Sequence, residues 1–167
     1  MIRMRLIPLA VLPLLFAAAC GPDQKSVEIA KMLPGDWRCT GTGNVAHEID
    51  GYLDSSVTYK LDGSWAGTDR VRFNGRVQLE VEIASSGQWD VRSGKLWTKT
   101  IEAKPMRVAT NGRTITDTRV LNQVMETHKK DFLAETTLTF DKITPDLMVY
   151  KESKGAPVMC THLNYRT

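Results

Sequence analysis

A small, mostly β protein built as an antiparallel up-and-down β-barrel is the fold the sequence predicts, and three observations predict it. Apolar residues alternate with polar ones in mid-chain. Val77, Leu79, Val81 and Ile83 lie on one side of a stretch whose other side is Gln78, Glu80 and Glu82. Period two with one polar face marks an antiparallel sheet packed on one side and wet on the other. Turn dipeptides recur at roughly 7–18 residues: Asp50-Gly51, Asp62-Gly63, Asn74-Gly75, Ser86-Gly87, Ser93-Gly94 and Asn111-Gly112. That spacing suits short strands joined by hairpins. Thirdly, Cys39 and Cys160 stand near the two ends of the domain. A bridge between them requires the first and last strands to lie within roughly 7 Å at Cα. Closure into a barrel satisfies this and leaves no strand border unpaired.

The elements follow in order. Fourteen apolar or small residues run from Leu6 to Ala19 behind Arg3 and Arg5, and stop at Cys20 in the string Ala17-Ala18-Ala19-Cys20-Gly21. A basic start, a short apolar run and small residues before the cut make a secretory signal peptide over 1–19. A spanning helix needs roughly 20 apolar residues, and this run is shorter and interrupted by Pro8 and Pro13. The cysteine directly after the small residues resembles the lipobox of bacterial lipoproteins. Ala17 stands where that motif usually has Leu, and Ala17-x-Ala19 also suits ordinary cleavage, which would leave Cys20 as a thiol. The lipoprotein resemblance implies that Cys20 carries acyl chains of the palmitate class on its sulfur and its new amine. One chain binds a membrane only marginally, whereas three make a durable anchor. It also implies the cell envelope, and Gly21, where an Asp would favour the inner membrane, points to the outer membrane facing the periplasm.

Residues 20–25 read as a polar tether, and one domain is expected over 26–167. Two basic residues leave with 1–19 and no acidic ones, so the net charge falls from +3 to +1. Nothing in that balance points to nucleic acid. With Cys20 acylated, Cys39 and Cys160 remain in an oxidising compartment where disulfides persist, the alternative being two buried thiols. Cys160 falls in phase with Val158 and His162, opposite the more apolar Met159, Leu163 and Tyr165. That mismatch would need a bulge.

Ser26 to Leu33 predicts a short amphipathic helix ended by Pro34-Gly35. Strand stripes follow at Val57, Tyr59 and Leu61, at Val71 and Phe73, at Val77–Ile83, and at Trp89 and Val91. The segment from Leu96 to Ala103 has no settled phase. Thr118 to Phe132 predicts a second helix, near 118–131, with Val120, Leu121, Val124, Met125, His128 and Phe132 on one face. Strands resume at 136–141, 147–152 and 158–165.

Gly35-Asp36-Trp37 follows the short helix and opens the first strand. In this it resembles lipocalins and their calycin relatives, whose barrels begin with G-x-W. The strings Tyr59-Lys60-Leu61-Asp62-Gly63, Gly87-Gln88-Trp89 and Gly94-Lys95-Leu96 are similar to lipocalin-like secreted domains. The resemblance implies a ligand at an open barrel end and a late arginine, here Arg166, packed over the Trp37 indole. Tyr59, Trp65, Phe73 and Trp97 are then candidate ligand-lining residues.

Motifs of chemistry are few. His47, His128 and His162 lack metal-set spacing and no Cys-x-x-Cys occurs, so no metal or cofactor is expected. No G-x-S-x-G elbow occurs, and Ser85-Ser86-Gly87 reads as a turn. Asp54, Asp62 and Asp69 read as loop-tip acids, and Glu80 and Glu82 as solvated. Enzyme activity is not expected. Two function classes stand: binding of a small apolar or amphipathic ligand, or an envelope protein–protein interaction or inhibitor module with a sealed core. An apolar cavity of roughly 300 Å³ or more favours the first.

Overall fold

The computed structural model describes residues 23–46, 49–73, 75, 78–120, 122–123, 126, 133–152 and 155–164. The signal segment, Cys20, Val77 and Arg166 lie outside these. Among the described residues the elements run α1 (Gln24–Met32), β1 (Gly35–Ala46), β2 (Ile49–Tyr59), β3 (Ser64–Phe73), β4 (Leu79–Arg92), β5 (Lys95–Thr110), β6 (Arg113–Ile115), β7 (Glu135–Ile143), β8 (Leu147–Lys151) and β9 (Val158–His162). Residues 118–120, 122, 123 and 126 are helical, where the second helix is predicted. The remainder of that apolar face, from Leu121 through Val124, Met125 and His128 to Phe132, lies outside the described residues.

Strands hydrogen-bond in the order β4-β3-β2-β1-β9-β8-β7-β5-β6, and β4 pairs with β5 to close the ring. Eight strands thus form an antiparallel up-and-down barrel, while β6 pairs with the far end of β5 alone. Cross-strand partners share a face of the sheet. The register therefore carries the inner face from Trp37 and Cys39 to Val57 and Ser55, then to Gly67 and Asp69. Two hairpin turns have the left-handed pairs expected of type I′ turns, Ser93-Gly94 (φ 51° and 68°) and Asn111-Gly112 (φ 47° and 77°).

Two other turn readings are corrected. Asp50-Gly51 lies inside β2, and Ser86-Gly87 lies inside β4. Instead of reversing the chain, the second marks a register shift, Ser86 facing Glu102 while Gly87 faces Thr100. A bulge of this kind bends the strand and leaves one residue over. That residue is Ile101, which is exposed; a second shift leaves Met106 exposed in the same way. The bulges explain why the phase of 96–103 resists reading. Leu61, expected to extend the β2 stripe, sits exposed in the β2–β3 turn.

α1 closes one end of the barrel. Asp23 caps it, accepting from the Ser26 N–H at 2.9 Å and the Ser26 hydroxyl at 2.6 Å. The helix begins two residues earlier than expected, so Gln24 and Lys25 belong to it rather than to a tether. Buried Ser26 accepts from the Gly94 N–H at 2.9 Å, fixing α1 to the β4–β5 turn. Ile29 and Leu33 enter the core with Trp37, Val91, Leu96 and Met148. Trp37 is fully buried, and its indole N–H donates to the Leu33 carbonyl at 2.8 Å, satisfying a helix-end acceptor.

The G-x-W string has a local reason. His162 stands edge-on to the Trp37 ring at 4.8 Å, and a Cβ on Gly35 would lie 2.1 Å from His162 Nε2. Gly35 also has φ of +138°. Both facts require glycine there.

Cys39 and Cys160 are joined by a disulfide and face each other directly in the β1–β9 register. No bulge intervenes, because the inner side of β9 is Val158 and Cys160, while Met159 is exposed. The expectation that the more apolar side faces inward fails there. Glu80 and Glu82 stand on the outer face as expected but are not merely solvated. Glu80 pairs with Arg72 at 2.8 Å and Arg107 at 3.4 Å, and Glu82 with Arg70 at 3.2 Å. Such surface pairs contribute under about 1 kcal/mol each and help hold register.

Candidate functional site

Packing around α1, Trp37 and the disulfide fills much of the barrel, and beside it lies a partly open cavity of about 170 Å³. Its wall is built from inward positions of five strands. β2 supplies Ser55, Val57 and Tyr59; β3 supplies Trp65, Gly67 and Asp69; β5 supplies Thr98 and Thr100. β7 adds Thr136 and Leu138, and Tyr150 and Glu152 come from β8 and the residue past its end. Hydroxyls and carboxylates dominate, with aromatic surface from Trp65 and the two tyrosines.

Asp69 is the charged group inside. The Ser55 hydroxyl donates to its Oδ1 at 2.5 Å. Burial pushes the Asp69 carboxyl above the ordinary range for aspartate, and the Ser55 hydrogen bond pulls the other way. Tyr59 is 6 % exposed and stacks edge-on with Trp89 at 5.9 Å. Burial raises its phenol, helped by the Asp69 charge. Burial also raises Tyr150, with the charges of Tyr59, Asp69 and Glu152 adding to it. Both phenols therefore stay neutral and act as hydrogen-bonding hydroxyls.

The candidate lining residues divide. Tyr59 and Trp65 line the cavity as expected. Phe73 is on the same sheet face but packs in a second cluster with Val81, Ile83 and Val108, where β3, β4 and β5 run on past the short strands. Trp97 is a correction. It pairs with Asp90 and Thr137, one residue out of phase with the inner Leu96, and so faces outward. The Arg92 guanidinium lies over its ring at 4.4 Å. Asp54 and Asp69, read as loop-tip acids, are strand residues on opposite faces; only Asp62 occupies a turn. Asp54 pairs outside with Arg38 at 3.2 Å.

Of the other wall residues, Ser55 is in step with the Val57 and Tyr59 stripe and so legible from the sequence, whereas Thr98 and Thr100 lie in the segment whose phase the bulge obscures. Arg166 lies outside the described residues, and the described ring neighbour of Trp37 is His162.

The raised Asp69 carboxyl has a consequence for stability. The unfolded chain releases this proton near 3.8, the ordinary aspartate value, while the native barrel holds it to higher pH. The native state then binds more protons over that window, so stability falls as pH rises from about 4 through the native value. Asp69→Asn removes the effect and can retain the Ser55 contact. Urea titrations across pH 3.5–8 should show the variant gaining on wild type with rising pH, then levelling. A difference that stays flat would mean Asp69 does not titrate as an enclosed group.

No protein-family model matches this chain, and no curated protein matches it.

Proposed function

We propose that this protein is a lipid-anchored envelope protein, without enzymatic activity, whose barrel binds a small amphipathic ligand. One observation carries the binding half of the reading: an interior cavity lined by two carboxylates, hydroxyls and aromatic faces. A barrel whose only task is to hold its shape fills its interior with apolar side chains. Here the core around Trp37 is filled that way, whereas the cavity beside it is lined largely by polar side chains. At about 170 Å³ and with a largely polar lining, the cavity is smaller and more polar than the apolar cavity of roughly 300 Å³ expected for this reading. The ligand is accordingly small and more polar than a fatty acid. Native mass spectrometry of protein extracted from its source is the direct test. A reproducible small-molecule adduct lost in Thr136→Phe supports the reading, and bare protein throughout argues for the sealed-core alternative.

The anchoring half rests on the string Ala17-Ala18-Ala19-Cys20-Gly21. The disulfide fits an oxidising compartment. Among the described residues no helix is long and apolar enough to cross a membrane. Cys20→Ser should therefore release the protein from membranes into the soluble fraction. Persistence in the membrane pellet after a high-salt wash would show that another element anchors it.

A further inference from the structure

We infer that the ligand of this cavity is a small organic cation, a primary alkylammonium held with its charge beside Asp69. This rests on the ligand-binding reading above and names the ligand's chemistry. Charge comes first. Asp69 and Glu152 line the cavity, and the lining contains no lysine, arginine or histidine. An anion would meet like charge there, and a neutral guest would leave the enclosed carboxylate uncompensated.

Unused hydrogen-bonding capacity comes second. Ionised Asp69 offers about four lone-pair sites, and among the described residues only Ser55 donates to it. Tyr59, a residue only 6 % exposed, lines the same cavity and brings a phenol oxygen able to accept a hydrogen bond. Ammonium carries three N–H donors and no acceptor. It can give one to the free Asp69 oxygen, one to the Tyr59 oxygen and one to a threonine hydroxyl. The faces of Trp65 and the tyrosines favour a cation over a neutral group of equal size.

Shape comes third. Val57 and Leu138 supply apolar wall for a short alkyl chain. The cavity holds the volume of about five or six waters, so a guest of about that many non-hydrogen atoms fits. A bound metal ion suits the site less well, because among the described residues no three metal-ligating side chains converge.

The test uses three probes of matched size, n-butylammonium, 1-butanol and butyrate, on the full chain in detergent at pH 8. The Trp65 indole N–H signal in NMR reports occupancy of this cavity. The expected result is a saturable shift with butylammonium at concentrations at least tenfold below those needed for butanol, and none with butyrate. Asp69→Asn should weaken butylammonium at least tenfold and leave butanol unchanged, while Tyr59→Phe should weaken it severalfold. Butanol binding as tightly as butylammonium, or butyrate binding best, overturns the cation inference and leaves the binding cavity intact. No shift with any probe overturns both. The ranking in the unmutated chain needs no variant, so misfolding of Asp69→Asn does not rescue the idea.

Discussion

Trp37→Ala should cost most of the stability of this domain. Truncating a fully buried tryptophan removes about 3–5 kcal/mol through lost burial and the cavity left behind. It also strands the Leu33 carbonyl that the indole N–H satisfies, which adds about 1–3 kcal/mol. Domains of this size have about 5–15 kcal/mol in total, so the variant should be partly unfolded at 37 °C. Trp37→Phe separates the two contributions, since it keeps a ring against His162 and loses only the donor and some volume. Urea denaturation of the three proteins measures both. A loss below about 1.5 kcal/mol for the alanine variant would mean α1 does not seal the barrel through this side chain.

The second large effect is expected from the disulfide. Cys39 and Cys160 are 121 residues apart, and the chain-entropy model assigns such a loop somewhat under ~5 kcal/mol. The double variant Cys39→Ala/Cys160→Ala should therefore lose about 2–5 kcal/mol. Wild-type protein under a strong reductant should fall to about the same stability. Nonreducing peptide mapping should recover one cross-linked peptide holding both residues. Two free thiols in oxidised, folded protein would remove the bridge from the account.

Much of the barrel was legible because period-two alternation survives wherever one strand face packs on a core. Val81 and Ile83 inside, with Glu80 and Glu82 outside, is that pattern, and Ser93-Gly94 and Asn111-Gly112 are turns that demand positive φ. Three kinds of error have physical causes. Ser86-Gly87 shows that a turn-forming dipeptide also suits a bulge, since both need a small residue where backbones crowd. A Cβ on Gly87 would lie 1.9 Å from the Lys99 carbonyl oxygen across the pair. Trp97 shows that aromatic character does not set direction; the register does, and Leu96 had already taken the inner position.

Asp69 is the instructive miss. A polar residue facing a cavity has the same signature as one facing solvent, so composition read it as exposed. Its phase with Trp65, two pairs along the same strand, held the correction.

The pairing of β9 with β1 also dictates when this molecule can become whole. Each hairpin from β1 to β5 can form as soon as its two strands exist, because their partners are sequence neighbours. The closing contact instead joins residues 37–41 to 158–162, with Cys39 and Cys160 121 residues apart. Contacts of such high sequence separation form late and slow the folding of all-β proteins. Until then β1 presents an unpaired backbone border and Cys39 a thiol with no native partner. An emerging chain in this state is open to strand addition by other chains and to mispaired disulfides. Barrel closure is what sets Cys39 opposite Cys160, so the last strand to dock also positions the native bridge.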